Sequence, residues 1–308
     1  MQEIFKQTIN QIITFQGIGL HSGKISKVRL IPGTDDQGII FKRTDLNDKN
    51  IVKANYNNVS STRLCTTLEN DYGNKVSTVE HLLAALYIVG VDSLTIEVDN
   101  EEIPIMDGSS KDFIELLKNV SIKKLNKKRK FLKIKEKVEL VDNERTITIE
   151  PSNLTFEVNF QLNYSNNIIG KQKNSVNFFD DNLEDIYTSR TFCLFEDIEK
   201  IKKGGLAKGG SLENAVVVND EKVINEDGLR NEKEFVNHKI LDLAGDFLLS
   251  GYRILGKVNC YQGGHQLTNL FLRKLFKSKK AYTEIEFNNI EFAKKTQPVA
   301  SIKLAVNA

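Results

Sequence analysis

Apolar residues recur with helical spacing between positions 235 and 247. The members of this stripe are separated by three or four positions, and they are Val236, Ile240, Leu243 and Phe247. Because an α-helix turns once every ~3.6 residues, side chains at these spacings share one face. The pattern therefore predicts an amphipathic helix that buries this face in a core.

A different face of the same predicted helix carries ionisable side chains. His238, Asp242 and Asp246 follow one another at intervals of four residues, so they lie one above another along the helix. A neutral imidazole and a carboxylate one turn apart can bind the same metal ion. An ordinary polar pair on a surface helix has the same spacing and is the commoner case, so both interpretations stay open at this point.

Short strands precede a second helix in the first part of the chain. Residues 4–16 predict a strand, and strand and turn patterns continue to about residue 74. The glycine-rich turn at 17–23 resembles a dinucleotide fingerprint. Its third glycine falls one residue late, however, and no amphipathic helix follows it. Nucleotide cradling of that type is therefore excluded.

The second helix is predicted to begin at Ser77 and to end before Gly90. Ser77 suits the N-cap position, and Glu80 three positions later completes a capping box. Capping is thus one interpretation of Glu80, and general-base chemistry is the other. A strand over residues 94–98 and a helix over about 111–118 follow.

A run of basic residues separates two similar successions of elements. Lysine and arginine concentrate at positions 123–130, and the strand pattern restarts after them. We therefore predict an N-terminal domain over residues 1–122, a basic linker over 123–130 and a C-terminal domain over 131–308. The fold class is α+β, with two domains of related topology, each a β-sheet layered with α-helices. The linker is interpreted as a solvated segment, and attraction of an anionic substrate is the alternative.

The C-terminal part contains a stretch that predicts no regular structure. Four glycines fall within residues 202–211, without the spacing of a phosphate-binding loop. We expect a mobile loop there. Further along, Gly263 and Gly264 precede His265 at the start of another predicted helix.

Composition narrows the classes of function. The chain has 308 residues, of which 40% are hydrophobic and 27% charged, as is typical of a soluble globular protein of two domains. The net charge of +2 argues against a dedicated nucleic-acid binder. No secretory signal or membrane-length apolar run is visible, and three widely separated cysteines form neither a disulfide framework nor a zinc-finger pattern. The expected setting is a reducing cytoplasm.

All four histidines lie in segments with a distinctive local pattern. His21 is in the glycine turn, His81 follows Glu80, His238 is on the first helix described above, and His265 follows two glycines. A lone histidine is usually an ordinary core or surface residue. The placement of all four at helix starts, polar faces or glycine turns favours a functional role.

Three side chains would complete the ligand set of a catalytic metal. His81, His238 and Asp242 supply two imidazoles and one carboxylate, a set found in catalytic zinc sites that keep a fourth position open. Zinc in such a site lowers the pKa of water towards ~7 and polarises a carbonyl beside it. Because the ligands come from both predicted domains, the active site would lie between the domains.

The same hypothesis gives roles to neighbouring polar residues. Glu80, adjacent in sequence to a ligand, is the candidate general base. His265 is the candidate general acid, oriented by Asp246. Lys239 and Thr191 are candidates to stabilise a developing oxyanion. Spacing does not establish this assembly, because its members come from both parts of the chain.

Several blocks of the sequence together resemble the UDP-3-O-acyl-N-acetylglucosamine deacetylase family. They occur in the family's order over essentially the whole chain, at 7–9, 17–23, 77–86, 103–109, 225–230, the helix with His238, and 264–265. The resemblance implies a zinc-dependent amidohydrolase in the pathway to lipid A. It would remove acetate from the glucosamine nitrogen of UDP-3-O-acyl-N-acetylglucosamine. The implied fold is two α+β domains with the active site between them.

The resemblance also implies roles for individual residues. It makes His81, His238 and Asp242 ligands of Zn²⁺, Glu80 the base, His265 the acid, Lys239 and Thr191 contacts of the reacting centre, and Asp246 the support of the acid. These are the roles that the residue types themselves allow.

A segment of the second domain is similar to the family's acyl-binding insert, which forms an apolar tunnel. Residues from about 190 to 211 match it. The candidate lining residues are Phe192, Leu194, Ile198 and Ala207, for which plain core packing is the alternative interpretation. His21 matches a family position near the substrate. Gln262 stands where a basic contact to the nucleotide is expected.

Two other functions stay open beside the deacetylase. One is a metal-dependent hydrolase of another acylated sugar or of a peptide, and the other is a catalytically silent protein that binds a lipid or a sugar nucleotide. We expect a cytoplasmic monomer without a nucleic-acid partner. Because the expected substrate is a lipid, we also expect transient contact with the inner membrane surface.

Overall fold

The computed structural model describes residues 3–287 of the protein. The end of the predicted C-terminal domain, residues 288–308, lies outside the described residues, as do the first two positions. Several sheets combine with helices in both parts of the chain, which confirms the predicted α+β class.

Ten strands and two helices precede residue 130. The strands are β1 (Phe5–Ile9), β2 (Ile13–Ile18), β3 (Ile25–Pro32), β4 (Ile39–Arg43), β5 (Ile51–Lys53), β6 (Val59–Ser61), β7 (Thr67–Glu69), β8 (Lys75–Val76), β9 (Leu94–Val98) and β10 (Ile122–Lys128). The helices are α1 (Glu80–Val89) and α2 (Lys111–Lys118), and a 3₁₀ turn spans Tyr56–Asn58.

Nine strands and four helices follow within the described region. The strands are β11 (Phe131–Ile134), β12 (Val138–Asp142), β13 (Arg145–Glu150), β14 (Phe156–Asn163), β15 (Lys171–Asn177), β16 (Phe192–Leu194), β17 (Val216–Val218), β18 (Arg253–Tyr261) and β19 (Tyr282–Ile285). The helices are α3 (Glu184–Tyr187), α4 (Phe195–Lys203), α5 (Glu234–Leu248) and α6 (His265–Lys277), and a 3₁₀ turn spans Lys279–Ala281.

The first large sheet has five strands in the order β2-β3-β9-β4-β5. Its neighbours are antiparallel except for the parallel pair β4 and β9. Strand β3 shows why it forms, since Ser26, Val28 and Leu30 alternate with exposed residues and are buried. This period of two places one face of the sheet in the core, where α1 and α2 also contribute apolar side chains.

The second large sheet has seven strands and is centred on the long strand β18. Strand β18 runs parallel to β11 and β14 but antiparallel to β13, so the sheet is mixed. Helices α5 and α6 bury their apolar residues in the same core. No helix between residues 3 and 287 combines the length and the apolarity that crossing a bilayer demands.

Helices α1 and α5 pack directly against each other. A Cβ atom added at Gly245 of α5 would collide with the carbonyl oxygen of Glu80 at the start of α1, so glycine permits this close approach. The predicted apolar stripe of α5 is confirmed. Its polar face is not solvent-exposed, because every residue of α5 except Lys239 is buried. The ionisable residues of this face therefore need partners inside the protein.

The basic stretch at 123–130 is part of a sheet and not a separate linker, although the side chains of its Lys123, Lys124, Lys127 and Lys130 are exposed, as the solvated interpretation predicts. Most of the stretch forms β10, which pairs antiparallel with β1. Arg129, by contrast, is only 3% exposed and binds the carboxylate of Asp92. The pairing was not predicted because sequence alone does not reveal the partner strand, which lies more than a hundred residues earlier.

The predicted N-cap of α1 is also wrong. The helix begins at Glu80 with Val79 at the N-cap position, and no side chain caps it. Ser77 instead forms a bridge with Glu102, and its hydroxyl accepts a hydrogen bond from Thr67. Glu80 therefore forms no capping box, so its carboxylate is available for other contacts.

Candidate metal and acid–base site

Two imidazoles and one carboxylate converge where α1 and α5 begin. His81 is the second residue of α1, and His238 and Asp242 lie one turn apart on α5. The Oδ1 atom of Asp242 lies 3.5 Å from Nε2 of His81 and 3.4 Å from Nε2 of His238. All three ligand atoms fall within 4.8 Å of one another, and all three residues are buried. The structure thus brings together the three predicted ligands.

The chemistry of this trio fits a metal ion. Oδ1 of Asp242 is buried and has no hydrogen-bond partner within the described part of the chain, which is costly unless a cation faces it. Nδ1 of His238 donates to the carbonyl of Ser189 at 3.1 Å, so Nε2 presents its lone pair to the trio. Donors ~2 Å from a tetrahedral ion are roughly 3.3 Å apart, close to the separations found here.

The protonation states of the α5 residues suit ligation. Burial lowers the pKa of His238 to about 3, so the ring is neutral, as a ligand must be. Burial acts to raise the pKa of Asp242, but the His238 and Lys239 side chains outweigh it and hold that pKa well below its usual range. The second carboxylate oxygen, Oδ2, accepts a hydrogen bond from Nζ of Lys239 at 2.9 Å.

Glu80 and His265 lie beside the trio. Nε2 of His265 is 3.7 Å from Oε1 of Glu80, and its Nδ1 donates to Oδ2 of Asp246 at 2.9 Å. Burial opposes a charged imidazole, yet the carboxylates of Asp246 and Glu80 raise the pKa of His265 to about 10. Burial raises the pKa of Glu80. The site therefore holds a proton donor next to a carboxylate acceptor, the pairing that acid–base chemistry needs.

Thr191 lies at the junction of two cavities. The polar cavity, of about 30 Å³, is lined by the ligand trio, Glu80, His265 and Lys239 as well as by Thr191. The backbone of Thr191 donates to Gly108 at 2.7 Å and accepts from Val216 at 2.8 Å, which fixes its position. Its side chain therefore reaches the polar cavity from a rigid backbone.

The second cavity is apolar and has a volume of about 340 Å³. Phe192, Ile198 and Ala207 line it as predicted, and His21 lies in its wall. Leu194 is not among the residues that line it, and this half-buried side chain packs against the main core. The cavity is built by β16, α4 and the chain that follows α4, which is the segment of the predicted insert.

His21 joins the glycine turn of the first part to the glycine-rich stretch near 204–211. Its backbone N–H donates to Glu102 at 2.8 Å, and its Nδ1 accepts from the N–H of Ala207 at 3.4 Å. Burial lowers the pKa of His21. A Cβ at Gly209 would collide with the carbonyl oxygen of Gly19, so the two glycine segments lie in direct contact. The stretch predicted as a mobile loop is thus packed against the turn.

The residues that the sequence did not reveal act through a backbone group, a single hydroxyl or a carboxylate. Ser189 orients His238 through its carbonyl, Glu102 anchors the turn that carries His21, and Thr66 contacts both Glu80 and Asp246. No local pattern could have identified them, because each contact joins distant parts of the chain.

Backbone strain also gathers around the two cavities. Three non-glycine residues that line them adopt left-handed φ angles, and they are Leu64 (63°), Thr78 (56°) and Ala207 (52°); Gln262 (54°) adopts the same conformation just before Gly263. Bulky and β-branched residues rarely adopt this conformation, and such strain concentrates at functional sites. The side chain of Gln262 bonds both the N–H and the carbonyl of Asn163, so it serves the local backbone.

Comparison with known proteins finds one family along most of the chain. The LpxC family model, described as UDP-3-O-acyl N-acetylglycosamine deacetylase, matches residues 6–277. A UDP-3-O-acyl-N-acetylglucosamine deacetylase of Pasteurella multocida (strain Pm70) is 42% identical over 289 residues, covering 93% of this chain and 94% of the relative. Proteins of the same name from Geobacter sp. (strain M21) and Haemophilus influenzae (strain 86-028NP) are each 41% identical. Those matches cover 92% and 94% of this chain and 93% and 95% of the relatives.

Proposed function

Because the chain belongs to the UDP-3-O-acyl N-acetylglycosamine deacetylase family, we propose that it hydrolyses the N-acetyl group of UDP-3-O-acyl-N-acetylglucosamine. The products are acetate and UDP-3-O-acyl-glucosamine, and the reaction is an early step of lipid A biosynthesis. The observation that supports this most is the buried trio of His81, His238 and Asp242 beside a proton donor and acceptor.

Zinc is the metal that we propose for the trio. Two histidines and one carboxylate with an open fourth position are the usual ligands of catalytic zinc. When bound, zinc would polarise the substrate's amide carbonyl and lower the pKa of a nearby water. The unpaired Oδ1 of Asp242 supports this assignment, because a cation would compensate the buried carboxylate.

Glu80 and His265 divide the proton transfers. The carboxylate of Glu80 accepts the proton of the attacking water, and Nε2 of His265 donates a proton to the departing glucosamine nitrogen. Asp246 holds Nδ1 of His265 and favours its protonated form. The separation of 3.7 Å between Nε2 of His265 and Oε1 of Glu80 places the proton donor next to the proton acceptor.

Lys239 and Thr191 stabilise the charge that develops on the carbonyl oxygen. The ammonium of Lys239 borders the polar cavity while it is bound to Asp242. Thr191, which immediately precedes β16, contributes a hydroxyl to the same site. Preorganised donors of this kind are worth a factor of ~10²–10³ in kcat when they face the developing oxyanion.

The apolar cavity is proposed to hold the acyl chain. Phe192, Ile198 and Ala207 supply its walls, and His21 contributes the polar edge nearest the sugar. Burial of each CH₂ group there contributes roughly 0.8 kcal/mol to binding. We further propose a monomer in the cytoplasm that contacts the inner membrane surface transiently to take up its lipid substrate. Its proposed domains meet near residues 123–130.

The direct test combines metal analysis with an acetate-release assay on the UDP-sugar. We expect one zinc ion per chain and turnover that depends on it, with loss of activity on chelation and recovery on adding zinc. An acylated sugar without the UDP group should be a poor substrate, which separates this enzyme from a general hydrolase of acylated sugars. Zinc-loaded protein that binds the substrate without releasing acetate would overturn the proposal in favour of a silent binding protein.

A further inference from the structure

Thr66 contacts Glu80, the proposed base, and Asp246, the carboxylate that binds the proposed acid His265. Its backbone N–H donates to Oε2 of Glu80 at 3.1 Å, and its Oγ1 donates to Oδ1 of Asp246 at 2.7 Å. The residue is 1% exposed, so water does not compete for these bonds. It lies in the loop before β7, far in sequence from the helix that carries Asp246.

The contacts close a ring of four residues. Asp246 accepts from Thr66 through Oδ1 and from His265 through Oδ2, the latter at 2.9 Å. Nε2 of His265 faces Oε1 of Glu80 at 3.7 Å, and the other oxygen of Glu80 accepts from Thr66. Each carboxylate therefore gives one oxygen to Thr66 and presents the other to His265.

This division of oxygens fixes the orientation of both carboxylates. The terminal torsion of an aspartate or glutamate is broad, so a single hydrogen bond leaves the group free to rotate. A second, charge-assisted bond from a buried hydroxyl or amide removes that freedom. Without the hydroxyl of Thr66, Oδ1 of Asp246 would be a buried acceptor with no replacement donor among its described contacts.

Two features of the neighbouring backbone hold Thr66 in this position. Leu64, two residues earlier, adopts the left-handed φ of 63° that turns the loop towards the site. The carbonyl of Thr66 accepts from the N–H of Val79 at 3.4 Å, which ties the loop to the start of α1. The donor N–H and the acceptor Glu80 are thus parts of one anchored unit.

We propose that Thr66 is a positioning residue that holds Glu80 and the Asp246–His265 pair in register for proton transfer. It does not line the polar or the apolar cavity, so its effect passes through the residues it holds. Its consequence for turnover rests on the proposed function. A substitution of Thr66 should therefore lower kcat and leave substrate binding unchanged.

Thr66→Val tests the hydroxyl, because valine keeps the shape and the backbone N–H. We expect kcat for acetate release to fall by roughly 10–100-fold, with KM within about twofold of the wild type and zinc content unchanged. Thr66→Ser should recover most of kcat. The matched control is Thr67→Val, which removes the neighbouring buried hydroxyl that bonds only Ser77 and Cys65, and it should leave kcat unchanged.

A second readout does not depend on deacetylation. The chain has four histidines, so ¹⁵N-labelled imidazoles give a spectrum in which His265 can be assigned. Its Nδ1 proton resonance should shift or broaden in Thr66→Val and stay in place in Thr66→Ser and Thr67→Val. If this response occurs in a protein without deacetylase activity, the proposed function fails while the positioning role stands.

A folded Thr66→Val enzyme with wild-type kcat and an unmoved His265 resonance would overturn the proposal. If valine prevents folding, Thr66→Ala removes the same hydroxyl and is held to the same two criteria.

Discussion

Two buried clusters of charged residues lie at opposite ends of α1, and they differ in how completely they are hydrogen-bonded. At the C-terminal end, Asp92 binds both Arg129 and Arg253. At the N-terminal end lie the proposed ligands and acid–base residues. Both clusters join segments from the two parts of the chain.

The C-terminal cluster satisfies its charged groups. Arg129 donates to Asp92 and to the carbonyls of Glu3 and Gly90, while Arg253 donates to the carbonyls of Tyr87 and Val91. The carbonyl of Tyr87 lies in the last turn of α1 and that of Gly90 at its C-cap, where carbonyls have no partner within the helix. Positive charge at a helix C-terminus is also favourable. This cluster therefore stabilises the fold.

The N-terminal cluster leaves buried polar atoms without partners in the region from residue 3 to 287. Oδ1 of Asp242, Nδ1 of His81 and Nε2 of His21 make no hydrogen bond there. Native proteins rarely tolerate such atoms unless a ligand or a reaction uses them. The hydroxyl of Tyr87, next to Arg253 in the C-terminal cluster, is also unpaired, so the two clusters differ in the kind of atom left without a partner. In the N-terminal cluster these atoms are ring nitrogens and a carboxylate oxygen, which can bind a metal ion or transfer a proton.

The largest expected effect comes from removing the base in the N-terminal cluster. Glu80→Gln keeps the size of the side chain but cannot accept a proton from water, so kcat should fall by roughly 10²–10⁴-fold. Zinc content and the unfolding midpoint should stay near those of the wild type. Acetate release and metal analysis measure both, with exposed Glu115→Gln as the control. Near-normal turnover would contradict the base assignment.

A substitution in the C-terminal cluster should lower the stability of the protein and leave its catalytic rate unchanged. Arg129→Met removes the main cationic partner of the buried Asp92 and leaves the carbonyls of Glu3 and Gly90 without this donor, so the free energy of unfolding should drop by about 3–5 kcal/mol. Denaturant unfolding measures this loss, and kcat per folded molecule should persist. Lys127→Met is the matched control from the same basic stretch, because Lys127 is exposed. Equal effects of the two substitutions would contradict the structural role of the cluster.

Zinc should supply the partner that the functional cluster lacks. Adding zinc to metal-free protein should raise the free energy of unfolding by about 2.7 kcal/mol at a concentration 100 times the Kd. His238→Ala should abolish this shift because it removes one ligand. His21→Ala lies outside the ligand trio and should retain it. Calorimetry with and without zinc is the measurement, and a full shift in His238→Ala would refute the ligand set.

The smallest effect is expected where the site is apolar. Ile198→Ala enlarges the cavity wall, so KM for the acylated substrate should rise several-fold, on the order of 1–2 kcal/mol of lost binding. The value of kcat should hold, since the proton-transfer residues are untouched. Exposed Glu199→Ala on the same helix is the control. Steady-state kinetics that show a loss of kcat without a change in KM would contradict a binding role.

Sequence reasoning predicted elements well where the pattern is local. The stripe on α5, the helix that became α1 and the α+β class follow from periods of 3.6 and 2, which depend on near neighbours. The N-cap of α1 failed because Ser77 had a better partner in a bridge with Glu102. The pairing of β10 with a strand at the start of the chain was not predicted, because the two strands are far apart in sequence.

The candidate site likewise contains some residues that could be predicted from the sequence and others that could not. The residue types of the ligand trio and of the acid–base pair could be picked out from spacing and from family resemblance. Leu194 was grouped with the cavity residues because it shares their segment, but it does not line the cavity. Thr66, Ser189 and Glu102 could not be picked out, because their contacts are made through single hydroxyl, backbone or carboxylate groups far away in sequence.

By itself the sequence determined which side chains share a face of α5 and which chemistry they can perform, since helical geometry and side-chain type are local properties. Only the tertiary structure decided that this face is buried, that His81 of α1 meets His238 and Asp242, and that Thr66 bonds both Glu80 and Asp246. These contacts depend on the close packing of α1 against α5, which Gly245 permits. A distance between remote residues is a property of the packed core and not of any segment of the chain.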